Sequence, residues 1–126
     1  MWFLPLLFKV AQERGLYLVY PHGSLIAEGL KRAILKKRRY HIENELLYLI
    51  EGNRILGKIV LGAPKQIRSK AEFMSLFPEH RVTPEEALRW WKTLRGLYFY
   101  PIKELILFKR PRKIELPRGV QTFVVV

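Results

Sequence analysis

The sequence contains no cysteine and no aspartate among its 126 residues. Without thiols the chain can form neither disulfides nor thiolate zinc sites, and it has no thiol nucleophile. Every acidic residue is glutamate, so aspartate-based metal sites and triads that contain aspartate are excluded. The absence of cysteine is typical of an intracellular protein, and we expect a cytoplasmic location.

Asparagine is scarce as well, with only Asn44 and Asn53, whereas lysine, arginine and glutamate are abundant. This composition is typical of proteins from thermophiles. Long hydrophobic runs are also missing. The apolar N-terminal segment Trp2 to Phe8 ends at Lys9 and is too short to span a membrane, so we expect a buried strand or packing arm and no membrane partner.

Positive charge dominates the chain, with 23 lysine and arginine residues against 11 glutamates and a formal net charge of +12. Such an excess favours binding to polyanions and says little about the fold. About half of the residues are hydrophobic, which is enough for a packed core. We therefore expect one domain over residues 1–126, with a nucleic acid as its partner.

The densest charge lies between residues 31 and 40, where no acid interrupts the basic residues. They are Lys31, Arg32, Lys36, Lys37, Arg38 and Arg39, and Tyr40 follows as a candidate for stacking on a base. As a strand, this run would place Lys31, Ala33 and Leu35 on one face and Arg32, Ile34 and Lys36 on the other. It predicts either a phosphate-binding surface or a solvated strand followed by a charged loop.

A second basic cluster contains Lys109, Arg110 and Arg112 around Pro111, and we interpret it as a proline-bearing turn. A restricted basic loop can contact a phosphate backbone, and it can equally serve solubility. Convergence of the two clusters on one face would strengthen the nucleic-acid hypothesis.

Strand signals prevail along the chain, at residues 16–20, 46–50, 55–61, 97–108 and 120–126. The 97–108 segment is either one kinked strand or two. The loop 51–54 predicts a hairpin, and Gly57 inside the following run indicates a bulge or bend.

The strongest helix signal is Thr83-Pro84-Glu85-Glu86, which forms a capping box and predicts a helix that ends by Gly96. A shorter helix is expected over residues 25–28, with Ser24 as its N-cap and Gly29 as its terminator. Residues 70–77 add another turn. These elements predict a mixed, mainly β (α+β) fold, a small and partly open β-barrel with one main helix and one or two short helices.

Other chemistry-bearing residues form no recognisable catalytic arrangement. Trp90 and Trp91 are stacking candidates, although core packing explains adjacent tryptophans more simply. The histidines His22, His41 and His80 lack metal-ligand spacing, and no phosphate-binding glycine loop is present. We therefore expect no metal, no cofactor and no catalytic residues.

The segment Gly29-Leu30-Lys31-Arg32-Ala33-Ile34-Leu35-Lys36 resembles the G-x-K-x-x-E-x-R signature of the ASCH domain, a member of the PUA-like superfamily of small β-barrels. Gly29 and Lys31 match, whereas Ile34 stands in place of the glutamate and Lys36 in place of the arginine. The resemblance implies a PUA-like barrel that binds RNA or a modified base.

Two alternatives remain open. The first is an ASCH-type amide hydrolase acting on a modified nucleoside, which would need a displaced acid such as Glu28, Glu43 or Glu45, because Ile34 cannot carry a proton. The second is a basic module that docks on an acidic protein or a ribosome. The sequence does not distinguish RNA from DNA, and it is compatible with a monomer.

Overall fold

The computed structural model describes residues 14–115 and 123–125. The strands are β1 (Arg14–Leu18), β2 (Ala33–Lys36), β3 (Leu46–Glu51), β4 (Arg54–Leu61), β5 (Lys65–Gln66), β6 (Tyr98–Lys113) and β7 (Phe123–Val125). They form one sheet in the order β2-β6-β4-β3-β1-β7, with β5 paired to β6. β1 and β3 are parallel, and the other strand pairs are antiparallel. The mainly β, partly open barrel expected from the sequence is confirmed.

β6 organises the sheet, because its two halves pair with different strands. Residues 98–101 pair with β2, and residues 102–113 pair with β4. The apolar 97–108 segment therefore belongs to one strand of 16 residues, and Pro101 does not interrupt it. The second basic cluster is also part of this strand, so its interpretation as a turn is wrong. The pairing of Arg112 with Ile55 and Lys113 with Arg54 keeps the backbone extended there.

The hairpin between β3 and β4 is confirmed, and its turn is tighter than expected. Both strands extend into the predicted loop, since Glu51 pairs with Arg54 and leaves only Gly52 and Asn53 in the turn. Gly57 marks a register shift in the pairing of β4 with both neighbours. A Cβ atom at this position would collide with the backbone of Ile106 and Leu107, so only glycine allows β6 to approach this closely.

Four helices accompany the sheet within the described residues: α1 (His22–Ala27), α2 (Lys70–Ser75), α3 (Phe77–His80) and α4 (Pro84–Trp91). The main helix, α4, has the predicted capping box: Thr83 Oγ1 accepts from the backbone N–H of Glu86, whose carboxylate accepts from the N–H of Thr83. It ends five residues before Gly96, because Lys92 already adopts a left-handed conformation. The predicted turn within residues 70–77 is confirmed as α2.

The prediction for α1 was partly wrong. The helix begins at His22, and Ser24 lies inside it and makes no cap. Both the backbone N–H and the hydroxyl of Ser24 donate to the buried carboxylate of Glu51, at 2.8 and 2.7 Å. Gly29 follows the helix with a φ of +79°, in agreement with its predicted role as terminator.

β2 is buried on both faces, which excludes a solvated strand. Ile34 belongs to the barrel core, together with Leu16, Leu47 and Ile59. The residues on the other face of β2 belong to a second core between the sheet and the helices, formed by Ala33, Leu35, Ile67, Phe73, Val82, Ala87, Leu97 and Phe99. The predicted alternation of side chains therefore holds, and both faces are covered.

Parts of the predicted elements lie outside the described residues. These are the N-terminal segment Trp2 to Phe8 and the approach to the last strand at residues 117–119. The last strand itself is described over Phe123–Val125, where it pairs with β1. None of the helices within residues 14–115 is long and apolar enough to cross a membrane.

Candidate functional site

A cleft of about 760 Å³ lies between the end of β1, the first residue of α1, β2 with its following loop, and α4. Five cationic residues line this cleft: Lys31, Lys36, Lys37, Arg38 and Arg89. Four aromatic residues line it as well: Tyr17, Tyr40, Trp90 and Trp91. Within the described part of the chain no glutamate lines the cleft. Cations beside aromatic rings suit a ligand that combines phosphate with a flat base.

Lys36 is the most unusual residue of the cleft. It is the last residue of β2 and points to the same side as Ile34, so only 8% of it is exposed. Among residues 14–115 and 123–125 it has no hydrogen-bond acceptor and no carboxylate partner. Burial lowers the pKa of Lys36 from 10.5 to about 8. A lysine side chain that is buried to this extent and has no described acceptor is costly to charge, and an anion bound in the cleft would lower that cost.

Lys31 is the second buried cation, with 3% of it exposed. Its ammonium group donates to the backbone carbonyl oxygen of His80. Burial lowers the pKa of Lys31 to about 7; Glu86 opposes this change, and the nearby positive charge of Lys36 adds to it. Lys31 and Lys36 therefore place two like charges close together in a poorly solvated part of the cleft.

The backbone carbonyl oxygen that accepts from Lys31 belongs to His80. Its Nδ1 accepts from the backbone N–H of Val82 at 2.9 Å, so the ring proton is on Nε2, which donates to the carbonyl oxygen of Phe73 at 2.9 Å. Burial lowers the pKa of His80 to about 4, so the ring is neutral near pH 7. His80 is thus a buried structural residue that shapes the cleft wall.

His22 connects the cleft to the main helix. Its Nε2 lies 3.0 Å from Glu86 Oε2, and its ring meets the Trp90 ring edge-on at 5.6 Å. Glu86 and Trp90 are four residues apart and therefore share one face of α4. The carboxylate of Glu86 serves two purposes, since its other oxygen accepts from Thr83. The capping box thereby positions His22 in the cleft wall.

The protonation of His22 follows from these contacts. Burial lowers the pKa of His22, and the positive charge of Lys31 lowers it further. The hydrogen bond and the negative charge of Glu86 act in the opposite direction. A neutral ring that donates from Nε2 to Glu86 has a lone pair on Nδ1. This atom is buried and has no hydrogen-bond partner among the described residues.

The rim of the cleft is formed by exposed cations of the loop that follows β2. Lys37 and Arg38 are exposed, and the loop is held at Tyr40. The backbone N–H of Tyr40 donates to the Tyr100 hydroxyl at 2.6 Å, and the same hydroxyl donates to the Tyr40 carbonyl oxygen at 3.1 Å. Tyr100 is fully buried, so this anchor belongs to the barrel core.

The structure divides the predicted binding residues into two groups. Lys31, Lys36, Lys37, Arg38 and Tyr40 line the cleft. Arg32 and Arg39 do not; Arg32 pairs with Glu79 at 2.7 Å, and Arg39 lies 3.7 Å from Glu43.

Lys109, Arg110 and Arg112 are exposed near the far end of β6, whereas the cleft adjoins the start of that strand. The guanidinium group of Arg112 stacks over the rings of Phe108 and Tyr48, at 5.4 and 5.9 Å from their centroids. The structure therefore does not place the second cluster in the cleft.

The candidate acids for a hydrolase are not in the cleft either. Glu45 forms two hydrogen bonds with Arg14, at 2.6 and 2.9 Å, and Glu43 lies beside Arg39. Glu28 is exposed after α1. Ile34, at the position of the signature glutamate, is an apolar part of the cleft wall. This arrangement does not favour the amide hydrolase.

Among the described residues no group of three or more histidines and acids lies together as metal ligands.

Arg89 and His22 belong to the cleft but were not predicted as binding residues. Arg89 looks like an ordinary charged residue of an exposed helix face, and His22 was considered only as a metal ligand. The spacing of Glu86 and Trp90 on a well-capped helix was the available signal. It could not show which element would pack against that face.

Solved structures with the same architecture come from the ASCH protein of Zymomonas mobilis. A serine-to-alanine variant of that protein superimposes with a TM-score of 0.70 at 11% identity, covering 91% of this chain and 88% of that one. A structure of the ASCH protein itself gives a TM-score of 0.69 at 12% identity, covering 91% of this chain and 87% of that one. A tyrosine-to-phenylalanine variant gives 0.65 at 13% identity, over 91% and 90%.

Fold and cleft together define a small β-barrel domain with a basic cleft. More particularly, the fold is that of these ASCH structures, as the signature at residues 29–36 implied. At these identities the likeness concerns the fold alone. The sequence matches no family model and no curated protein.

Proposed function

We propose that this protein binds RNA through the cleft, with phosphate held by its cations and an extruded or modified base placed against its aromatic rings. The observation that carries this proposal is the buried side chain of Lys36, whose ammonium group has no acceptor among the described residues, in a cleft lined by five cations and no described carboxylate. Natural proteins keep such an unfavourable group where a ligand compensates for it.

The composition and the fold support the same proposal. A net charge of +12 attracts polyanions from solution. At the cleft, the exposed residues Lys37, Arg38 and Arg89 can contact the phosphates of such a polyanion. RNA bases are commonly recognised by stacking on aromatic side chains after leaving a helix or loop, and Trp90 and Tyr40 offer such rings. The resemblance to PUA-like domains implied RNA or a modified base as well.

The proposal is tested by titrating single-stranded RNA, duplex RNA and duplex DNA at two salt concentrations, using protein purified with nuclease at high salt. We expect single-stranded RNA to bind best, with affinity that falls steeply as salt increases. Equal and weak binding to all three would show that the charge acts generically. Binding to an acidic protein that survives nuclease treatment would replace RNA by a protein partner.

A matched pair of triple variants locates the interface. Replacing Lys37, Arg38 and Arg89 by glutamine removes three charges at the cleft, and replacing Arg68, Lys70 and Arg95 removes three exposed charges elsewhere. Because each phosphate contact to a single strand contributes a slope of about −0.7 to the salt dependence, the cleft variant should lose about 2 from its slope. The control variant should change little, and equal losses would contradict the cleft as the interface.

A third variant measures the contribution of the other predicted cluster, Lys109, Arg110 and Arg112. We propose that these residues contact the RNA backbone beyond the cleft, so their replacement by glutamine should weaken binding uniformly across sequences. Unchanged affinity and slope would limit the interface to the cleft.

A further inference from the structure

The cleft contains two buried cations, which is more than one backbone phosphate can neutralise. Lys31 and Lys36 are 3% and 8% exposed, and the charge of Lys36 contributes to the lowered pKa of Lys31. An internal RNA phosphate is a diester with one negative charge. A terminal phosphate is a monoester, and it carries close to two negative charges near neutral pH. The charge of the site therefore matches a monoester better than a diester.

No described carboxylate is available to balance this charge from the protein side. Glu86 is the nearest acid that acts on Lys31, and its oxygens are already engaged by Thr83 and His22. Glu51 is buried as well, but it receives both hydrogen bonds of Ser24. Of the two ammonium groups, only that of Lys31 has an acceptor among the described residues, the backbone carbonyl of His80.

The position of the two lysines also favours the end of a chain over its middle. Lys31 and Lys36 lie in the covered wall of the cleft, whereas Lys37 and Arg38 are exposed at its mouth. An internal phosphate could reach the wall only if both flanking nucleotides entered with it. A terminal nucleotide can insert its phosphate alone. The volume of about 760 Å³ is typical of a site for one small ligand.

We propose that the two buried lysines form a pocket for a phosphomonoester of a nucleotide, in which Lys31 and Lys36 both donate to the phosphate oxygens. This inference rests on the proposed function and names the group that occupies the deepest part of the same cleft. The phosphate belongs either to the end of an RNA chain or to a free nucleotide. The neighbouring base would lie against the aromatic residues of the cleft, of which Trp90 is held by its edge-on contact with His22.

The test compares RNA oligonucleotides of one sequence that carry a 5′-phosphate, a 3′-phosphate or only hydroxyl ends, with a nucleoside monophosphate as competitor. We expect one phosphorylated end to bind at least tenfold more tightly than the hydroxyl ends. The Lys36→Met variant should lose this preference and keep the weaker binding of unphosphorylated RNA. The exposed control Lys70→Met, which lies outside the cleft, should keep the preference.

The outcomes separate this inference from the proposal on which it rests. Equal affinity for all three oligonucleotides, with dependence on Lys36 retained, would overturn the monoester pocket and leave RNA binding intact. Competition by the nucleoside monophosphate supports the pocket. If the monophosphate binds in a Lys36-dependent manner and no RNA binds, the phosphate comes from a free nucleotide, and the RNA proposal fails. Binding of neither would overturn both.

Discussion

Replacing Lys36 by methionine should make the protein more stable while it removes the preference for phosphorylated RNA. Methionine has a similar length and fills the same space without a charge. In the folded protein burial lowers the pKa of Lys36 from 10.5 to about 8, so the folded state holds this proton less tightly than the unfolded chain does. At pH 7 this difference lowers the free energy of unfolding by about 3 kcal/mol.

The pH dependence identifies the cause. The penalty is complete below about pH 8 and disappears as the pH rises through the unfolded value of 10.5, because the unfolded chain then also loses its proton. We therefore expect the stability gain of Lys36→Met to fall from about 3 kcal/mol at pH 7 to about 1 kcal/mol at pH 10. Removing the Lys36 charge also raises the pKa of Lys31 towards its ordinary value, and this adds to the stability gain near neutral pH.

Urea denaturation of both proteins at the two pH values measures this difference, with Lys37→Met as the control. Lys37 is exposed, so its replacement should change the free energy of unfolding by less than about 0.5 kcal/mol at either pH. The reasoning is refuted if Lys36→Met destabilises the protein at pH 7, or if its effect is the same at both pH values. A more stable variant that no longer prefers phosphorylated RNA would show that the site sacrifices stability for function.

Three further changes test how the fold supports the cleft. Thr83→Ala removes the cap of the main helix, so urea denaturation should show a free energy of unfolding lower by about 1 kcal/mol. The variant should also bind RNA more weakly, because the same capping box positions Glu86. An unchanged free energy of unfolding would contradict the role of Thr83 as the cap. Gly57→Ala should lower the free energy of unfolding by about 2 kcal/mol or more, since the added Cβ would meet backbone atoms of β6. If the thermal unfolding midpoint of this variant were unchanged, glycine would not be needed for the close packing at this position. Tyr100→Phe should lower the free energy of unfolding by about 1–2 kcal/mol, because two backbone groups of Tyr40 lose their hydrogen bonds to the hydroxyl. We expect faster hydrogen exchange in the 37–40 loop of this variant. Unchanged exchange would contradict the role of Tyr100 as the anchor of the loop.

Features that depend on neighbours in the sequence were predictable. Thr83 and Glu86 cap the main helix because the interacting atoms are only three residues apart. The β3–β4 hairpin and the left-handed Gly29 are local in the same sense. The resemblance of residues 29–36 to the ASCH signature suggested the barrel that the comparisons confirm as the fold.

Features that depend on distant partners were not predictable. The sequence shows that Lys36 belongs to a basic run, but its burial depends on the elements that pack around β2. None of the described glutamates lies close enough to serve as its acceptor. Ser24 looks like a helix cap, yet Glu51, 27 residues away, takes both of its hydrogen bonds. The cluster around Pro111 looks like a turn, yet pairing with β4 keeps it extended.

Sequence alone therefore determined the charge, the local helix and turn signals, and the kind of fold. Tertiary structure decided which cations are buried, because side-chain desolvation depends on every element that packs around the side chain. It also separated the cleft from the second basic cluster, since two segments of one long strand can serve different surfaces. The candidate site follows from this division: of six basic residues in one run, two are buried, and these two line the wall of the cleft.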